Sequence, residues 1–176
     1  MAIYNQKLIK ALVFCNIVAF LLSIALTGTQ FNFFWMGLIS PNIDQLIDMK
    51  WIVKLESFHP LSLISSLFLH IGIVHLIVNL ILIIYLGLIN ISPGRFLVVY
   101  IASGVIGNLC AIFTDERGVL GASGAVMGVL GYEIIYGLKN NIDKSSIKEL
   151  FNIVLLTIIP GLLLSCVSNG AYIGVD

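Results

Sequence analysis

Apolar residues gather in five long stretches, about 8–27, 71–88, 96–113, 121–138 and 150–167, with short polar connections between most of them. Each approaches the ~20 predominantly apolar residues that a helix needs to cross a bilayer core. The pattern predicts an all-α fold, a polytopic membrane helical bundle with residues 1–176 forming a single membrane domain. Asn90 to Gly94, Asp115 to Gly118 and Asn140 to Ser146 are rich in turn formers and read as the connections. Lys7 and Lys10 precede the first stretch as they would in a secretory signal, but the stretch is long and Ala25 to Thr29 makes a poor cleavage site. It reads as an uncleaved span.

One linker is long. Residues 28–60 mix Phe31, Phe33, Phe34, Trp35, Met36, Trp51 and Ile52 with Asp44, Asp48, Lys50 and Lys54. Aromatic side chains favour the headgroup level, so this segment is expected to form an interfacial loop lying partly in the outer leaflet. Beyond it, a continuous helix from Leu61 to Leu88 would run about 42 Å, too long for a ~30 Å core. Gly72 is the expected point of division, leaving a short entry segment before the second span.

Composition agrees with a membrane protein. The 176 residues are 59% hydrophobic and 10% charged, with a mean hydropathy of +1.07, against roughly 25% charged residues in soluble domains. Nine basic and nine acidic side chains balance, so no basic field recruits nucleic acid. With the N-terminus in the cytoplasm, Lys7, Lys10, Arg95, Lys139, Lys144 and Lys148 lie inside and Lys50, Lys54 and Arg117 outside, a bias of the sign expected for an inside N-terminus. Cys15, Cys110 and Cys166 sit in apolar runs and read as small hydrophobes.

Two groups of residues carry candidate chemistry. Gly121-Ala122-Ser123-Gly124 opens the fourth stretch, placing Ser123 near the outer surface at a helix start. Small neighbours let a substrate backbone approach, and the free N–H groups of a first helical turn can bind a developing oxyanion. The competing reading is close helix packing along Gly121, Gly124, Ala125, Gly128 and Gly131. At the outer end of the second stretch stand His70, His75 and Asn79, polar groups that are costly in a membrane. At about 100° per residue His75 and Asn79 differ by about 40° and share a face, whereas His70 lies about 140° from His75. The alternative for this trio is interhelical hydrogen bonding. Both even-numbered stretches run inward, so His75, Asn79 and Ser123 fall at comparable depth. Glu133 reads as reaching for the inner interface beside Tyr132, Tyr136 and Lys139, with an ion path as the other reading, and Pro160-Gly161 reads as a kink.

Phe68-Leu69-His70, His75, Asn79 and Gly121-Ala122-Ser123-Gly124, with Gly94, Phe96, Tyr100, Gly104 and Gly107 between them, resemble the rhomboid family of intramembrane serine proteases from about residue 8 onward. The resemblance implies a serine endopeptidase cleaving transmembrane segments of membrane proteins, with the lipid bilayer and transmembrane protein substrates as partners, no cofactor and no metal. It implies Ser123 as nucleophile, His75 and Asn79 as oxyanion stabilisers, and His70, Gly121 and Gly124 in support. The expected location is a bacterial cell membrane. Three positions depart from the family pattern. The family's general base is a histidine on a sixth helix, whereas the histidines here are His59, His70 and His75. Val175-Asp176 resembles the approach to that helix, so the chain is expected to be cut just before it and inactive by itself. Met127 stands where an aromatic is common, and the first-loop Trp-Arg pair is absent, the arginines being Arg95 and Arg117. The alternative is a non-catalytic rhomboid-like pseudoprotease that binds transmembrane helices; a small transporter using Glu133 is a third class.

Overall fold

A computed structural model describes residues 6–32, 37–55, 57–87, 91–113 and 119–140, together with 148, 149, 152, 153 and 155. Most of the fifth apolar stretch, the Pro160-Gly161 kink, Cys166, Val175-Asp176, Arg117 and the Phe33 to Met36 aromatic run lie outside the described residues. The chain divides into two compact units, Met1–Val129 and Leu130–Asp176.

The first unit opens with α1 (Gln6–Thr27), which buries Ile9, Leu12, Asn16, Phe20, Ser23 and Thr27. Their spacing of three and four residues makes one face of a helix. The other face is apolar as well, exposing Phe14, Leu21, Leu22 and Leu26, as expected where lipid rather than water is the solvent. α1 packs against α4 (Ile73–Leu86), where any side chain at Gly87 would collide with Ile9. α5 (Pro93–Ala111) starts with proline in its first turn, where the missing N–H costs nothing. α6 begins at Ser123 and ends at Lys139. By length and composition α1 and α5 are able to cross a membrane. A short helix α3 (Ser62–Ser65), continued by a 3₁₀ turn (Ser66–Phe68), meets α4 at 91°, and the bent pair makes a third candidate span.

The linker after α1 holds two short strands within the otherwise helical fold. It folds as an antiparallel hairpin of β1 (Thr29–Asn32) and β2 (Gly37–Pro41), pairing Thr29 with Pro41 and Asn32 with Gly37, followed by α2 (Ile43–Asp48). The Asn42 side chain caps α2 by accepting the Gln45 N–H at 3.2 Å. Its C-terminus closes with Lys50 at φ +60, the Lys50 N–H on the Ile47 carbonyl and the Trp51 N–H on the Leu46 carbonyl. That is a Schellman closure with lysine in the place usually taken by glycine. Much of the linker's apolar content goes into a local core of Leu46, Ile52 and Leu69, with Ala19, Ile43, Ile47, Trp51 and Leu120 packed around it. Of the side chains that the sequence pattern assigns to the headgroup level, Ile52 is buried and Trp51 partly so, while Met49, Leu55 and Phe58 are exposed. In the second unit α6 continues from Leu130, with Glu133 buried and Tyr132 stacked on Tyr136 at 5.9 Å between ring centroids.

Candidate active site

The site is built where α3, the 3₁₀ turn and α4 fail to make one helix. Leu69 turns extended (φ −87°, ψ 150°) and Gly72 is extended before α4 begins. His70 falls in this break and is fully buried, and its ring meets that of His75 at 5.1 Å between centroids, at an interplanar angle of 67°. A helical wheel places His70 away from His75 because it assumes a continuous helix; the 91° bend removes that assumption and brings the rings edge to face. One turn further along α4, Asn79 is buried and donates from Nδ2 to the His75 carbonyl at 2.9 Å. His70 Nδ1 lies 3.2 Å from the Phe68 carbonyl. Among the described residues, His70 Nε2, His75 Nδ1 and Asn79 Oδ1 are buried atoms without a hydrogen-bond partner.

The second half comes from the segment leading into α6. Val119 pairs with Val53 through two backbone hydrogen bonds of 2.7 and 3.3 Å, and the Gly121 N–H donates to the Ser66 carbonyl at 2.8 Å. Gly121 has φ +118°, a conformation open to glycine and strained for other residues. A Cβ there would stand 2.8 Å from Cε1 and 3.3 Å from Nε2 of His75. The imidazole therefore lies directly on the Gly121 backbone, two residues before Ser123.

Ala122 is buried, while Ser123 and Gly124 are exposed at the start of α6. The first bond of the helix is Val126 N–H to the Ala122 carbonyl at 2.9 Å. The amides of Ser123, Gly124 and Ala125 precede it and have no acceptor within the helix, the usual state of a first turn. Donors and hydroxyl thus share one helix end beside His75, an arrangement suited to holding an oxygen that gains negative charge.

Close packing accounts for part of the glycine-rich stretch. Gly104 of α5 faces Ala125 of α6, and a Cβ at Gly107 would lie 3.8 Å from the Gly124 Cα. Gly128 meets Ser103, whose hydroxyl donates to the Ala125 carbonyl at 3.2 Å. Close packing on α5 uses the same small residues that leave Ser123 accessible. Cys15 and Cys110 are free and exposed, and among the described residues no three His, Cys, Asp or Glu gather to hold a metal ion. Two residues near the site escape the sequence pattern, Ser66 and Asn108, each a buried polar side chain in an apolar run; that contrast was the available signal.

A family model described as Rhomboid domain matches residues 57–174. RHOMBOID-like protein 6, mitochondrial, of Arabidopsis thaliana is 30% identical over 148 residues, covering 80% of this chain and 48% of that protein. Rhomboid protease GluP of Bacillus subtilis is 32% identical over 119 residues, 64% of this chain and 23% of that protein. Inactive RHOMBOID-like protein 8 of Arabidopsis thaliana is 27% identical over 147 residues, 79% of this chain and 42% of that protein. The chain spans about half the length, or less, of these curated relatives. No solved structure matches. With a matched model over most of its length and a helical membrane architecture, the chain belongs to the rhomboid family of integral membrane proteins.

Proposed function

We propose that this chain supplies the nucleophile and the oxyanion-binding half of an intramembrane serine endopeptidase that cleaves transmembrane segments of other membrane proteins. The observation that carries the proposal is the contact of His75 with the left-handed Gly121, immediately before a helix that begins with an exposed Ser123. Ser123 Oγ attacks the scissile carbonyl. The first-turn amides of α6, His75 and Asn79 hold the oxygen as it becomes negative. Serine attack needs a base to accept its proton, and His75 is committed to the oxyanion side. Without such a base, hydrolysis falls to a residual level.

In support, Rhomboid protease GluP is a relative. The presence of Inactive RHOMBOID-like protein 8 among the relatives favours a second reading, a pseudoprotease that binds transmembrane helices without cutting them. The six basic residues assigned to the inside support a cytoplasmic N-terminus. The test uses full-length protein in liposomes with a fluorogenic transmembrane substrate and a fluorophosphonate probe. Cleavage and labelling that both vanish in Ser123→Ala support the protease; substrate binding with neither cleavage nor labelling supports the pseudoprotease.

A further inference from the structure

Asn108 is an amide in the membrane-candidate helix α5, only 5% exposed. Burying an amide without hydrogen bonds is costly, and Asn108 spends both of its N–H donors in one direction. Nδ2 donates to the Leu63 carbonyl at 3.0 Å and to Ser66 Oγ at 2.8 Å. These bonds reach back 45 and 42 residues, to the short helical segment that precedes the bend. Ser66 is itself fully buried, and its carbonyl is the acceptor for the Gly121 N–H at 2.8 Å. One amide on α5 therefore grips the residue that in turn grips Gly121.

Each link has a geometric consequence for the next. Gly121 sits at φ +118° against the His75 ring, and the chain leaves it to start α6 two residues later. A shift of the Ser66 carbonyl would move Gly121, and with it both the His75 contact and the aim of the first-turn amides. Packing alone does not ask for asparagine here: a leucine of similar volume would fill an apolar helix face without needing partners.

We propose that Asn108 is a positioning residue of the active site, acting through Ser66 on Gly121 to fix the approach of Ser123 to its substrate. The catalytic half of this proposal rests on the reading of Ser123 as nucleophile; the link from Asn108 to Gly121 stands apart from it.

The test measures two things on full-length protein. In liposomes, Asn108→Leu lowers kcat by about 10- to 100-fold with KM within about twofold, as a small misplacement of reacting groups does. Ser66→Ala, a smaller change at the other end of the bond, lowers kcat less, and the double variant is no worse than Asn108→Leu because the pair acts as one unit. In detergent micelles, backbone hydrogen exchange of the 119–122 segment accelerates about tenfold in Asn108→Leu while α1 keeps its protection. Where leucine at 108 prevents folding, Ser66→Ala carries both measurements. Ser123-dependent cleavage with unchanged kcat, additive losses in the double variant, or exchange that rises throughout the protein overturns the proposal. Cleavage that survives Ser123→Ala sinks the nucleophile instead, and exchange at 119–122 then decides alone whether Asn108 holds Gly121.

Discussion

Along α1, Asn16, Ser23 and Thr27 are buried and polar, and each donates to a carbonyl of its own helix: Leu12, Phe20 and Ser23, at 2.7 Å in every case. Around Gly121 the bonds run between distant segments, from Asn108 to Leu63 and Ser66, from Gly121 to Ser66 and between Val119 and Val53. Unpaired atoms alone do not separate the two regions, since Asn16 Oδ1 lacks a partner as His70 Nε2, His75 Nδ1 and Asn79 Oδ1 do. The difference lies in what the bonds fix. Thr27 also accepts the Asn42 N–H at 3.0 Å, but a bond that closes within one helix, as the bond of Ser23 does, does not by itself fix neighbouring elements. One that reaches across 42 residues sets the distance between elements, which is the property a reactive site needs.

Substitutions on each side sharpen or break that contrast, given full-length protein with activity dependent on Ser123. The largest effect among them is expected for His75→Ala, which removes a proposed oxyanion donor and should lower kcat about 10²- to 10³-fold; a loss under threefold would remove His75 from the chemistry. Gly121→Ala follows, with kcat down about 10²-fold, because the methyl group meets His75 Cε1 at 2.8 Å from a backbone that disfavours it. Unchanged kinetics there would mean that the His75 contact does not matter. Thr27→Val on α1 removes the bond to Ser23 and the acceptor for the Asn42 N–H, so unfolding in detergent should become easier by about 1 kcal/mol with kcat within twofold. If it impaired cleavage as Gly121→Ala does, the two regions would not differ in kind. Ser23→Ala loses one bond within a helix and should change stability by under about 0.5 kcal/mol.

The helices α1, α4, α5 and α6 fall on the first four apolar stretches, because membrane helices announce themselves by length and composition. Gly121, Ser123, His75 and Asn79 stand out as candidates because each is a small or polar residue at the edge of, or within, an apolar run. The division of the second stretch at Gly72 was legible too, but its 91° angle was not, and that angle brings His70 onto His75. The hairpin and α2 were hidden for a different reason. Trp51 and Ile52 suit a headgroup layer and a small local core equally well, and they pack with Leu69, Ala19 and Leu120 contributed from elsewhere in the chain. Asn108 was overlooked because one amide in an apolar helix has many uses, and only Leu63 and Ser66 reveal which applies.

The right-angle bend also bears on how the protein is made. A straight helix from Ser62 to Leu86 would run about 37 Å at 1.5 Å per residue, enough to cross the bilayer unaided. In lipid the straight form satisfies every backbone group, whereas the bent form interrupts that ladder at Leu69 to Gly72 and needs surrounding protein or water. The partners that draw the preceding segment into place, Asn108 and Gly121, are synthesised only later. Newly inserted chain would thus carry a straight second segment, and the bent arrangement around Gly121 would form only after α5 and the start of α6 have arrived.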